Sequence, residues 1–581
     1  MIGAGVLLGI AVALASLAWD PSAHAAEPKR VLALLVAVVA LAFALVRAGS
    51  RDRASCTYRK RSWSWTLGLG FLGLSALSTL WGLPSGRLEL ATWIGAMACG
   101  AAAAQAGRAS AIRTARSAAL LVGGVSALWA LGAFALGARG FAVHAGQGNP
   151  NWLGLLLATT IPLSIETAVE HVKRRGARDP RALALGMLAA LQPAALYASH
   201  SRVAWVATAI AVGWLAWSAR RVPRAWPAGG ALLALAALLT AGVIAAERLP
   251  RAPVAHAALG ASAVAVASPE DVPAARSLEG RVWIAKQSLL AARHAGPLGA
   301  GLGRFGHVYL DAQGEALARL EVRAAARRFV NAGTAHDDLL QVAVESGPLA
   351  ALLLLAALVV AFGDARRAQW HAGGAVLVAF TVTMLGDSPL RQPAPCVLLA
   401  LVMAASGSGA RSPGRSPLVA VSALAMLAGL LMLSTRAWLG VHCRETPALA
   451  LRLDPDSGDA QLAGGIEELA RGRAWSALPH LERANHLGAT VAARVAIGEA
   501  WLAQGNPEEA REAFRTALVW HPGSLRARVA MAEAERRLGH LDEAERHSLA
   551  AHAVSPGDAH VAELVSRLGE ARMDDEAQDG R

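Results

Sequence analysis

The chain has 581 residues, 55% of them hydrophobic and only 17% charged, with a formal net charge of +13. A soluble protein of this size carries more charge and interrupts its apolar runs more often, so an ordinary soluble globular fold is excluded. The excess of Lys and Arg gathers in short loops and does not imply a nucleic-acid partner.

The apolar runs set the predicted elements. A helix needs about 20 apolar residues to cross the hydrocarbon core of a bilayer. "VLALLVAVVALAFALV" (Val31–Val46) and "AALLLLAALVVAF" (Ala350–Phe362) are typical of the runs found here. Spans are expected around residues 2–19, 31–47, 65–83, 89–106, 117–137, 152–169, 182–198, 202–218, 229–246, 338–362, 372–387, 394–408 and 417–436. The twelfh run is short and the fourth contains Gly and Gln, so the expected count is 12–13. "SAHAAE" (Ser22–Glu27) also resembles a cleavage site after a signal peptide. The preceding segment lacks a positive charge and Asp20 fits such a site poorly, so an uncleaved first span is expected.

Lys and Arg concentrate on the cytoplasmic side of membrane proteins. The loops Arg47–Ser62, Gly107–Ser117, His171–Arg181, Ala219–Arg224, Gly363–Arg367 and Gly409–Arg415 are basic. They alternate with loops such as "LPSGRLE" and "GARGFAVHAGQGNP", which are poor in positive charge. This pattern puts the N-terminus inside, and it puts Arg248–Ala335 and everything after about Ala437 outside. Cys56, Cys99, Cys396 and Cys443 show no metal or redox spacing. A Cys396–Cys443 pairing outside the membrane stays open.

After about residue 440 the charges return and the apolar residues become spaced. "GNPEEAREAFRTALVWHPGS" (Gly505–Ser524) is answered by "GHLDEAERHSLAAHAVSPGD" (Gly539–Asp558). Gly505 to Gly539, Ala510 to Ala544, Ala517 to Ala551 and Pro522 to Pro556 all keep a step of 34 residues. This resembles the tetratricopeptide repeat, a helix-turn-helix unit that stacks because no unit buries its apolar face alone. A weaker unit precedes it at Leu469–Ala484. The repeat implies a docking surface for a protein partner. The tail "RMDDEAQDGR" reads as disordered.

The expected architecture is therefore all-α: a polytopic membrane helical bundle followed by an α-solenoid of helix hairpins. Its parts are N-terminal transmembrane helices (1–247), a large outer loop (248–337), C-terminal transmembrane helices (338–437), the repeat domain (438–570) and the tail (571–581).

Four polar stretches face outward: "GQGNPNWLG" (Gly146–Gly154), "SHSRVAW" (Ser199–Trp205), "EGRVWIAKQSLLAARHAGPLGAGLGRFGHVY" (Glu279–Tyr309) and "AHDDLLQVAVESG" (Ala335–Gly347). Singly, each has a plain structural reading. Asn-Pro-Asn opens a helix with Asn as cap. Arg202 can snorkel to the interface. A lone glycine pattern such as "GAGLGRFG" does not specify phosphate binding. His336 can cap a helix or sit at the interface, and Asp337 suits a helix N-terminus. Arg327 and Arg328 read equally as a solvated helix face or as partners of lipid phosphates. Together the four stretches say more. Outer loops avoid Lys and Arg, so Arg202 in a tight outer turn is not a topology signal. Arg202 and Arg281 can grip a diphosphate as planar donors, and a histidine beside them can move a proton near neutral pH. Ionisable groups at membrane depth mark function.

In this order the four stretches resemble the O-antigen ligase and polymerase superfamily, over most of residues 30–436. Some departures stand out: Asp337 replaces the usual Asn or Ser, Pro348 follows Gly347 where Leu is preferred, and two residues separate His294 from Pro297. The resemblance implies a membrane glycosyltransferase of the GT-C type, working at the periplasmic face of a bacterial inner membrane. Its donor is a glycan on undecaprenyl diphosphate, moved en bloc to an acceptor hydroxyl on a lipid, such as lipid A-core, or on a protein. It uses no nucleotide sugar, no cofactor and no metal. By the same resemblance Arg202, Arg281 and His336 are the catalytic candidates. Asn149, Asn151, Arg304, Asp337 and Arg328 are the substrate-binding candidates. A polymerase joining repeat units and a protein O-oligosaccharyltransferase are alternatives within the superfamily. A transporter reading lacks a matched pair of broken helices and an acidic residue at mid-span. A membrane-anchored repeat scaffold leaves so many spans unexplained.

Overall fold

Helices satisfy their backbone groups internally, which lets them cross lipid, and each apolar run of the chain folds in this way. The computed structural model describes residues 4–18, 26–49, 63–105, 107–138, 142–219, 226–248, 278–407, 417–442, 446–488 and 490–579. Among the described residues there are helices and no β-strand.

The first nine helices are α1 (Ala4–Leu17), α2 (Ala26–Gly49), α3 (Trp63–Ser78), α4 (Pro84–Gln105), α5 (Arg108–Ala135), α6 (Pro150–Arg175), α7 (Pro180–Ala198), α8 (Arg202–Ala219) and α9 (Trp226–Arg248). The outer segment follows, as α10 (Leu278–Ala295), α11 (Phe305–Leu317), α12 (Val322–Arg328) and α13 (Asp338–Ser346). The bundle resumes with α14 (Pro348–Arg367), α15 (His371–Met384), α16 (Pro393–Ser406) and α17 (Pro417–His442). A helix lies on each of the expected runs. Among the described residues, five segments are long and apolar enough to cross a membrane: α5, α6, α7, α14 and Leu424–Val441 of α17. Shorter apolar helices occupy Leu8–Leu17, Arg202–Ser218, Gly229–Ala245, His371–Met384 and Pro393–Ser406. The chain is a multi-pass membrane protein.

Small residues let these helices approach closely. A Cβ on Gly100 of α4 would lie 2.7 Å from the Ala400 carbonyl of α16. The pairs α4–α16, α1–α5, α3–α14 and α8–α15 form the main contacts. Around them lies a core that includes Phe71, Trp93, Leu358, Phe380, Leu390 and Val397. At the end of the bundle where α5 starts and α6 finishes, Arg116 bonds Glu166 (2.9 Å) and Glu170, and Trp370 donates to Glu166 at 3.1 Å.

Three expectations change. The tenth run, 338–362, is two helices, because the chain breaks between α13 and α14 at Gly347. That residue has φ +90°, and a Cβ there would sit 2.3 Å from the Pro297 carbonyl. The span therefore starts at Pro348, and α13 lies outside it. The tail is the second change: the last helix runs from Ala559 to Asp579. Ala, Glu, Arg, Met and Gln in that stretch are all good helix formers. Third, Cys396 is a free buried thiol that donates to the Leu390 carbonyl at 3.0 Å. Cys443 and Cys56, residues 22–25 of the cleavage-site stretch and residues 249–277 lie outside the described residues.

The repeat domain consists of a short helix, Pro447–Leu453, then the hairpins Gly458–Ala470 with Ala474–Leu487, Val491–Ala503 with Pro507–Trp520 and Leu525–Arg537 with Leu541–Val554, then the last helix. Gly472, Gly505 and Gly539 share the turn position within the hairpins, at φ +73°, +81° and +81°. Ala510, Ala517, Ala544 and Ala551, the residues that carry the period, are all fully buried where helices touch. The domain packs directly on the outer segment. Trp520 donates to Asp311 at 2.8 Å, Phe329 stacks on His521 with centroids 3.8 Å apart, and His307 bonds the Asn485 carbonyl at 3.2 Å. Cβ atoms on Gly314 and Gly523 would lie 2.3 Å from the Val519 carbonyl and 2.4 Å from Ala326.

Trp520 is the anchor of this junction, buried with Leu310, Leu317, Ala325 and Phe329. Removing a buried Trp costs about 3–5 kcal/mol. Trp520→Ala is therefore expected to loosen the junction. Limited proteolysis of the detergent-solubilised chain checks this: the variant should release the repeat domain much faster than the wild type. Equal rates would mean that the domain is held by other contacts.

Candidate functional site

The site forms at the end of the bundle where α6, α8 and α14 begin. Each motif reaches it through a backbone feature. "GQGNPN" carries Gly146 and Gly148 at φ +71° and +76° and delivers Asn149 as the N-cap of α6, its side chain accepting from Asn151 N–H at 2.8 Å. A Cβ on Gly154 would lie 2.5 Å from Ser201, so the first two motifs are packed together. The tight turn at His200, φ +54°, leads straight into α8 with Arg202 as its first residue. Arg202 is exposed. A cation at a helix N-terminus opposes the helix dipole, so this placement is not made for stability. Guanidinium and helix end together favour an anion.

The turn after α15 ties the site together. A Cβ on Gly386 would lie 2.9 Å from Val203, beside Arg202. The Gly386 carbonyl accepts a hydrogen bond from Arg281 of α10 at 2.9 Å. The next residue, Asp387, is buried and lies 3.8 Å from Nδ1 of His336. Arg281 and His336 thus meet around Gly386 and Asp387, and Val203, the residue after Arg202, comes close to the same turn. The His336–Asp387 separation suits an ion pair with a protonated imidazole but is too long for a hydrogen bond. His336 Nδ1 is buried with no hydrogen-bond partner, and the imidazole is about one-third exposed at 33%. Such pairs tighten when substrate binds. His336 has φ +50°, an uncommon backbone for a residue with a Cβ.

The other candidates fall into two groups. Asn149 and Asp337 are helix caps. Asp337 accepts the Leu340 N–H at 2.9 Å to start α13, so capping belongs to Asp337 and not to His336. Burial raises the Asp337 carboxyl above the usual range against two opposing backbone hydrogen bonds. Asn151 stands in the first turn of α6. Arg328 and Arg304 lie apart from the cluster. Arg328 pairs with Glu279 at 2.7 Å and stacks 5.1 Å from the Trp283 ring. Residues 279 and 283 are on the face of α10 opposite Arg281, since two residues turn a helix by about 200°. Arg304 precedes α11 near His307, whose imidazole is lowered mainly by burial and, to a smaller degree, by Arg304. Among the described residues no contact joins Arg304 to Arg281 or His336.

The glycine-rich loop is a structural staple. Ala300 and Gly301 N–H donate to the Val344 and Glu345 carbonyls at 2.8 and 3.0 Å, and Leu302 exchanges backbone bonds with Ser78 and Leu83. Gly299, Gly301 and Gly303 have φ +76°, +106° and +86°. The N–H groups of Ala300, Gly301 and Leu302 are thus spent on the protein and not free to hold phosphate.

The motifs do not single out Asp387, nor Glu89 and Arg391 beneath it, whereas Glu345 is the acid of the last motif. "MLGDSPLRQ" follows an apolar run, and its one available signal was an acid and an arginine at an outer turn.

Residues 185–355 match the family model for O-antigen ligase. The matched stretch contains Arg202, Arg281 and His336 and agrees with the motif resemblance. It points to a ligase- or polymerase-type membrane glycosyltransferase domain. Residues 501–568 match a tetratricopeptide repeat model. No curated protein matches the chain. Among solved structures, the crystal structure of the APC/C hetero-tetramer Cut9-Hcn1 aligns at 12% identity, covering 93% of this chain and 84% of that one, with a TM-score of 0.21. At that score the likeness carries no argument.

Proposed function

We propose that the chain is an O-antigen ligase-like glycosyltransferase acting at the periplasmic face of the inner membrane. It moves a glycan from undecaprenyl diphosphate to an acceptor hydroxyl, on lipid A-core or another surface acceptor. The observation that carries this reading is the convergence of Arg281 and His336 on Gly386 and Asp387, with the start of α8, where Arg202 stands, close to the same turn. Two guanidiniums and a helix N-terminus suit a diphosphate. The exposed apolar faces of α14, with Leu349 and Leu352 56% and 61% exposed, suit its lipid tail. The repeat domain suits a protein partner on the same side.

The chemistry follows from these groups. The acceptor oxygen attacks the anomeric carbon, and the bond from that carbon to the diphosphate oxygen breaks. Arg202 and Arg281 stabilise the charge that grows on the leaving diphosphate. His336 takes the hydroxyl proton, and Asp387 holds the resulting imidazolium. No step needs a metal or nucleotide. The reaction belongs at membrane depth because the diphosphate is tethered there by its tail.

The lipid profile of a strain lacking this chain tests the activity. Accumulated undecaprenyl-linked polymer is expected. Accumulated single repeat units would make the protein a polymerase, and no accumulation would overturn both readings.

The site has its own test. Loss of one charge-assisted contact to a buried phosphate costs about 2–5 kcal/mol, so Arg202→Ala and Arg281→Ala should each lower transfer by one to several orders of magnitude. Lys should rescue poorly, since it lacks the planar fork. His336→Asn keeps the left-handed backbone, which Asn tolerates, but cannot take a proton, and should lose a factor of about 100 to 10,000. Transfer is measured in reconstituted protein with chelator present. Normal activity in His336→Asn would remove the base, and loss to chelator in the wild type would overturn the metal-free mechanism.

A further inference from the structure

Beneath the site lies a set of buried charges that the proposed chemistry does not use. The guanidinium of Arg391, in the 3-10 turn Pro389–Arg391, bonds Glu89 of α4 through one nitrogen and Glu345 of α13 through another, the latter at 3.1 Å. Glu345 is 2% exposed and also accepts the Phe305 N–H at 3.2 Å through its second oxygen. Gln341 lies 3.4 Å from Glu345 and accepts the Ala335 N–H, just before His336, at 2.9 Å. Asp338, just after Asp337, accepts the Leu390 N–H at 2.8 Å.

These bonds join two segments. One carries His336 and runs into α13. The other carries Asp387 and runs into the 3-10 turn that holds Leu390 and Arg391. The segments are cross-linked twice, by Asp338 to Leu390 and by Glu345 to Arg391. A buried ion pair contributes less to stability than apolar residues of the same volume often would. A planar fork between two carboxylates does fix angles that apolar contacts leave loose. The arrangement therefore favours register over stability. We propose that Arg391 and Glu345 are positioning residues that hold Asp387 against His336. This rests on the reading of His336 and Asp387 as a working pair.

A double-mutant cycle with the full reconstituted chain tests it. The donor is the lipid-linked glycan extracted from cells lacking this chain, and the acceptor is the lipid fraction of the same cells. A misplacement of about 1 Å can cost a factor of about 100 in rate, so Arg391→Gln should lower kcat about 100-fold and leave KM within about twofold. In an Asp387→Asn background the same change should alter kcat less than about threefold, because residues acting through one group are not additive. An equal loss in both backgrounds would show that Arg391 acts through the fold at large and would overturn the proposal. Glu345→Gln keeps an acceptor for Phe305 and removes the charge; it carries the same cycle if Arg391→Gln fails to insert. The site reading fails separately: an Asp387→Asn variant with unchanged kcat would overturn the working pair, and the positioning role with it.

Discussion

The nearness of Gly386 to its neighbours sets the geometry at the outer end of the bundle. A side chain there would meet Val203 at 2.9 Å, so α8 and the turn after α15 can approach only because the position is bare. That approach brings the first turn of α8, which begins with Arg202, close to the residue whose carbonyl takes Arg281 and which precedes the acid that faces His336. Gly154 against Ser201 repeats the device one helix away. Helix packing in lipid has little hydrophobic drive of its own, and close backbone contact at small residues supplies it. The contacts that assemble the bundle here also assemble the site.

Polar groups in this region are sorted by use. Those that cap helices or staple loops are satisfied: Asn149 by Asn151 N–H, Asp337 by Leu340 N–H, and the Ala300 and Gly301 N–H groups by carbonyls of α13. By contrast, His336 Nδ1 is buried with no hydrogen-bond partner, and Arg202 is exposed at the start of a helix, where its charge is poorly placed for stability. A buried unpaired nitrogen and an exposed guanidinium at a helix end are what the proposed site would need to receive a charged substrate. The repeat domain is bonded to α11 and α12, the helices that frame the His336 segment, so a partner docked on the repeats is joined to the site through a continuous packed junction.

Much of the fold was legible because its signals are local. Apolar runs marked the membrane helices, and a step of 34 residues between Gly505 and Gly539 marked the hairpins. The break at Gly347 was hidden, because hydropathy runs on through it and its cause is the distant Pro297 carbonyl. Arg202, Arg281 and His336 stand in an ordered set of motifs, and their roles are proposals. Asp387 and Arg391 were not legible, since they earn their roles only from partners at residues 336, 345 and 89. The Asp at 337 shows why a motif departure can be harmless: Asp and Asn cap a helix about equally well. Arg328 shows the reverse error, a charge next to the motif that the fold turns to Glu279.

The most direct test of the site is photo-crosslinking with an undecaprenyl diphosphate analogue bearing a diazirine on its first isoprene unit. Mass spectrometry of the labelled chain should find adducts in residues 199–205, 279–286, 332–338 and 386–391, competed away by the unlabelled lipid diphosphate. Competed labelling confined to the glycine loop at 299–303 or to the repeat junction, with none in those four peptides, would contradict the placement of the diphosphate around Gly386 and Asp387.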